Sequence, residues 1–118
     1  MDFKVVCLAA LLVLSGCGSV QADKGDYSGE DYFKNYALST CISDGYESQE
    51  VISDAAAAAR GYLELGDLPI EAHTEATLLG REYLKKKYRS KSGVDLVLMK
   101  CIDFYHSDEL DLLYKKYK

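Results

Sequence analysis

Two histidines and four cysteines are the side chains in this sequence best suited to nucleophilic or metal chemistry: His73, His106, Cys7, Cys17, Cys41 and Cys101. A zinc site needs three or four ligands, usually arranged as close-spaced pairs, and these positions do not offer that spacing. A Cys–His nucleophile would have to be assembled from distant parts of the chain, with no local signature around either cysteine. Gly-x-Ser-x-Gly, His-Glu-x-x-His, the phosphate-binding loop and the dinucleotide fingerprint are all absent from the sequence. The paired carboxylates Glu64 with Asp67 and Asp108 with Asp111 could do acid–base work, but their places at helix ends suit capping and solvation better. No catalytic residue, metal or cofactor is expected, and His73 reads as a surface or partly packed residue.

The cysteines make sense once the N-terminus is read. Lys4 precedes an apolar run from Val5 to Leu14, too short to cross a bilayer and fitting the hydrophobic region of a secretory signal. Leu14, Ser15, Gly16 and Cys17 form a lipobox-like "LSGC", which makes Cys17 the expected lipidation site. Val20, Gln21 and Ala22 offer a second, ordinary cleavage point after Ala22. Both predict export, and Gly18 behind a lipidated cysteine favours the outer membrane. The expected organisation is a signal peptide at 1–16, a tether at 17–29 and a helical domain at 30–118. Cys7 departs with the signal and Cys17 is lipidated or removed. Cys41 and Cys101 remain, and in an oxidising compartment two leftover cysteines read as a disulfide, ahead of the zinc and nucleophile alternatives. Closing that 60-residue loop would stabilise the fold by about 4 kcal/mol in the chain-entropy model.

The 118 residues allow one domain, and the net charge of −5 argues against nucleic acid and for a neutral or basic partner. Apolar residues recur at helical spacing, so the expected class is all-α with four to five helices. Ser28 caps a first helix starting near Asp31, with Tyr32, Phe33, Tyr36, Ala37, Cys41 and Ile42 on one face and Gly45 at its end. Ser48 caps "QEVISDAAAAARGYLEL", closed by Gly66. Asp67 and Pro69 open a third helix running to Tyr88, with a seam of Ile70, Thr74, Thr77, Leu78, Arg81, Leu84 and Tyr88. Its acidic start and basic end (Lys85, Lys86, Lys87, Arg89) suit the helix dipole, so the lysine run reads as a solvated helix end. "RSKSGVD" is the most loop-like stretch of the domain. A fourth helix, "DLVLMKCIDFY", would bury Val94, Val97, Leu98, Cys101, Ile102 and Tyr105, and Ser107 caps a short fifth with Leu110, Leu113 and Tyr114 inside. Cys41 and Cys101 would then pin the first helix to the fourth. Ten tyrosines against no tryptophan favour a binding surface over a catalyst.

Three stretches, "YFKNYALSTCISDGY", "DAAAAARGYLELGDLPIEA" and "LMKCIDFYHSDEL", resemble in order and spacing the amidase immunity proteins of bacterial type VI secretion systems. The resemblance covers Tyr32 to Leu113. It implies an all-helical periplasmic protein with a disulfide at the positions of Cys41 and Cys101. It also implies a homodimer that blocks a peptidoglycan-cleaving cysteine amidase of the NlpC/P60 kind, which cuts between D-glutamate and diaminopimelate. Inhibition in such proteins is steric: a protruding loop of one subunit enters the catalytic groove while a helix of the other assists. On this chain the loop would be Arg89, Ser90, Lys91, Ser92 and Gly93, and the assisting surface the helix from Ile70 to Tyr88. The competing reading is a small helical envelope lipoprotein with a structural or assembly role.

Overall fold

Serine hydroxyls start three of the five helices. Ser28 Oγ accepts from the Asp31 amide at 3.1 Å, while Asp31 Oδ2 accepts from the Ser28 amide at 3.4 Å, a reciprocal box that opens α1 (Gly29–Gly45). Ser48 Oγ accepts from the Val51 amide at 3.5 Å and opens α2 (Gln49–Leu65). Pro69 precedes α3 (Ile70–Leu84), where a missing amide proton costs nothing. After a loop come α4 (Val97–Tyr105) and α5 (Asp108–Tyr117). Ser107 joins these two, donating to the Phe104 carbonyl at 2.7 Å and accepting from the Leu110 amide at 3.1 Å. This computed structural model describes residues 26–118. The expected signal peptide with Cys7, the lipidation site Cys17, the alternative cut after Ala22 and most of the tether lie outside the described residues.

Helix α1 is the hub, packed against each of the other four. The core gathers Phe33, Ala37 and Cys41 from α1, Ala72, Ala76 and Tyr83 from α3, Cys101 and Phe104 from α4, and Leu110 and Leu113 from α5. Ala55 and Ala59 seat α2 on α1, where small side chains permit close approach. Cys41 and Cys101 are bonded, with Cα atoms 5.6 Å apart, so α1 is pinned to α4 as the spacing predicts. Among the described residues there is no strand, and the all-α class holds.

Two helices turn a different face inward from the one hydropathy suggests. In α3 the buried residues are Ala72, His73, Ala76, Gly80 and Tyr83, while Ile70 and Leu78 of the expected seam are 59% and 53% exposed. Ala72, Ala76 and Gly80 repeat every four residues as a strip of small residues, and Phe104 packs against Gly80. A Cβ on Gly80 would stand 3.0 Å from Phe104 Cε2. Closeness of approach wins over the larger side chains. The hydroxyls of Thr74 and Thr77 bond back to the carbonyls of Ile70 and His73, at 3.2 and 3.0 Å. The helix stops at Leu84, short of the expected Tyr88, so Lys86, Lys87 and Arg89 belong to the following loop and not to a helix end. In α4 the inward face is Lys100, Cys101 and Phe104; Val94, Leu98 and Ile102, expected inside, are exposed. Here the disulfide and Phe104 fix the rotation. Leu110, Leu113 and the half-buried Tyr114 of α5 lie where the sequence puts them.

Candidate functional site

The loop from Lys85 to Leu96 joins α3 to α4 and carries the five expected contact residues, Arg89 to Gly93. Arg89, Lys91, Ser92 and Gly93 are exposed and Ser90 is half-buried. The tip is a tight turn: the Gly93 amide donates to the Ser90 carbonyl at 3.3 Å, and Gly93 takes φ +80°, open to glycine without strain. Ser90 Oγ accepts from the Ser92 amide at 3.3 Å and lies 3.0 Å from the Ser92 hydroxyl. Leu96, which leads into α4, is left-handed at φ 56°, ψ 41°. Such a conformation costs a non-glycine residue on the order of 1 kcal/mol, so surrounding contacts must impose it.

Those contacts are polar and come from α4. Lys100, 2% exposed, donates from Nζ to the Leu84 carbonyl at 3.2 Å and to Asp95 Oδ1 at 2.9 Å. Tyr88 donates its hydroxyl to Asp103 Oδ2 at 2.6 Å, a bond that pushes the phenol up to about 12. Both feet of the loop and its first third are therefore tied to one short helix.

The loop is also cationic. Lys85, Lys86, Lys87, Arg89 and Lys91 follow one another on a chain whose net charge is −5. Lys85 pairs with Glu82 at 2.9 Å and Lys86 sits 3.7 Å over the Tyr83 ring. Lys87, Arg89 and Lys91 enter no ion pair among the described residues, which leaves a positive tip aimed at solvent.

Among the described residues the cysteines and histidines do not gather into a reactive site. The two sulfurs are spent on each other, so neither offers a thiolate. His73 is not at the surface: it is 1% exposed, its Nδ1 donating to the Pro69 carbonyl at 3.1 Å and its ring edge-on to Phe33 and Tyr36. Burial lowers its pKa, partly opposed by the Pro69 bond. His106 packs beside the Tyr105 ring at 5.0 Å. No group of three or more candidate metal ligands gathers among the described residues. Sequence reading found the loop but missed its anchors, Tyr88, Asp95, Lys100 and Asp103. One signal was there: a lysine in the middle of "VLMKCI", directly beside a core cysteine.

An anchored, charged loop on a disulfide-clamped helical scaffold is suited to binding, since it loses little freedom on meeting a partner. Residues 31–114 match the sequence profile of Tai4, "Type VI secretion system (T6SS), amidase immunity protein", and the chain belongs to this family, one of immunity proteins and not of enzymes. Comparison with curated protein sequences gives no match. Among solved structures, the Tae4/Tai4 effector–immunity system of Salmonella typhimurium, as its selenomethionine variant, is 38% identical, with TM-score 0.75 over 80% of this chain and 94% of that one. The Tae4–Tai4 complex of Enterobacter cloacae is 26% identical, with TM-score 0.71 over 80% of this chain and 97% of that one. A chain from work on type VI-secreted toxins and self-resistance proteins of Serratia marcescens shares the fold at 22% identity, TM-score 0.67, over 87% of each chain.

Proposed function

We propose that this protein is a periplasmic immunity protein that binds its cognate peptidoglycan amidase effector, a cysteine hydrolase of the NlpC/P60 kind, and blocks it sterically with the loop Arg89–Gly93. The observation that carries the reading is the loop itself, whose tip is exposed and cationic while its feet are fixed. A plug that is already ordered loses little freedom when it enters a groove, and unpaired charge at its tip speeds encounter with an electronegative cleft. The relatives from Salmonella typhimurium and Enterobacter cloacae are effector–immunity pairs of Tae4 with Tai4, which supports an amidase effector as the partner here.

Cys17 carries lipid and holds the protein at the outer membrane, with residues 1–16 removed as the signal. Two copies associate, and α3 of the second copy assists the loop of the first. The exposed Ile70 and Leu78 of α3 support such a role, since the core makes no use of them. Leu78 also lines a groove of about 770 Å³ between α3 and α5 with Leu79, Leu112 and Leu113, rimmed by Glu75 and Lys116.

The test is inhibition of the cognate amidase on peptidoglycan by the wild-type protein and by Lys91→Glu. Reversing one charge at the tip should weaken inhibition about tenfold or more, chiefly through slower association, with an unchanged thermal midpoint. Equal potency of the two proteins would move the contact away from this loop. Failure of the wild-type protein to inhibit any such hydrolase would remove the reading altogether.

A further inference from the structure

Among the described residues Lys100 is the one charged side chain of the largest fully buried ones, and hydropathy gives no reason for it to be inside. Burying an ammonium costs several kcal/mol unless partners replace its water, and an apolar side chain of similar length fills such a place without that cost. A lysine at this position therefore has to be explained by what its Nζ holds.

It holds the loop at three points. The Leu84 carbonyl, 3.2 Å away, is in the last turn of α3, where carbonyls lack helical partners and the helix dipole favours a cation. The Asp95 carboxylate, 2.9 Å away, is at the other foot, directly before the left-handed Leu96. Between them the Tyr88 ring lies 5.8 Å from Nζ, within range of a cation–π attraction. Leu84 packs its side chain on the core but offers Lys100 only its carbonyl, and the other partners lie in the loop. Asp95 is itself 76% exposed, so it stays in contact with water and gives Lys100 only part of what the ammonium lost. The arrangement is a poor device for stability and a good one for fixing a segment that makes few packing contacts of its own.

We propose that Lys100 is a positioning residue: from the buried face of α4 its ammonium holds the two ends of loop 85–96 and selects the one conformation in which the Ser90–Gly93 turn is presented. Its consequence for affinity rests on that loop being the inhibitory contact proposed above. Without the clamp, the loop would sample several conformations, and only the competent fraction would bind at once.

Two variants and two readouts test this. Lys100→Met keeps the length and apolar stem but removes the ammonium. Asp95→Asn acts on the exposed partner and leaves the buried face intact, so it remains informative should Lys100→Met fail to fold. Amide hydrogen exchange in the free protein is expected to quicken about tenfold at Ser92 and Gly93, the hydrogen-bonded amides of the turn, in either variant, while amides of α1 and α5 keep their protection. Inhibition of the amidase should weaken about tenfold in parallel. Unchanged loop exchange in the folded variants overturns the clamp. Faster exchange with undiminished inhibition upholds the clamp and overturns the loop as the inhibitory contact, so the two ideas fail separately.

Discussion

His73 brings a titratable ring into the core with only half its hydrogen-bonding capacity met. Nδ1 is satisfied by Pro69, whereas Nε2 is buried without a partner between helices that present the rings of Phe33 and Tyr36. Protonation would place a charge there, so the folded state holds the ring neutral below its ordinary value of 6.5. Between the folded and unfolded pKa values the unfolded chain binds more protons, so stability rises with pH. His73 thus contributes fully above about pH 6.5, and its contribution is lost as the pH falls through the window beneath. Denaturant midpoints measured at about pH 7, 6 and 5 should decline, and the decline should be shallower in His73→Phe. Parallel profiles for the two proteins would mean that the ring charges without penalty. Glu75 acts in a lower window: the Tyr117 hydroxyl, then Lys116, hold its carboxyl below the usual range, and that support goes only once the carboxylate is protonated.

At the scale of elements, the point where α1 ends is also where the loop begins and ends. A Cβ on Gly45 would collide with Val97 Cγ1 and stand 2.8 Å from Leu84 Cδ2, so this glycine lets the last residue of α3 and the first of α4 close on α1 together. Gly45→Ala should destabilise the protein by about 1–2 kcal/mol, because overpacking exceeds the helix advantage of alanine. A thermal midpoint at or above wild type would show that Leu84 and Val97 yield freely. This convergence marks the limit of what the sequence made legible. Helix starts were readable because Ser28, Ser48 and Ser107 bond within three residues of themselves. The rotations of α3 and α4 were not, because they are decided by partners distant in the chain. Phe104 needs the absence of a side chain at Gly80, and Lys100 turns inward to reach Leu84 and Asp95. The position of the loop was legible from its polar, glycine-containing composition, whereas its anchoring depends on Asp95, Lys100 and Asp103, which carry no local signal, and on Tyr88, expected in the seam of a longer third helix.

For the whole molecule, the bond between Cys41 and Cys101 decides whether these local arrangements hold together. Helix α4 has nine residues, too few to be stable alone, yet it supplies the anchors of the loop and a central aromatic of the core. Its connection to α1 spans 60 residues, so the bridge removes much of the freedom of the unfolded chain, worth about 4 kcal/mol. Against a total stability of about 5–15 kcal/mol for a domain of this size, that is a large share. Reduction of the protein, or the double substitution Cys41→Ala and Cys101→Ala, should therefore lower the thermal midpoint by roughly 15–30 °C. The loop should lose its hydrogen-exchange protection before α2 separates from α1, because α2 rests on α1 and not on α4. On this reckoning the fold should be firm in an oxidising compartment and only marginally stable in a reducing one. Thermal scans with and without reductant measure the difference directly; coincident midpoints would show that the helices pack as firmly without the bridge, and the rigidity ascribed to α4 would then need another source.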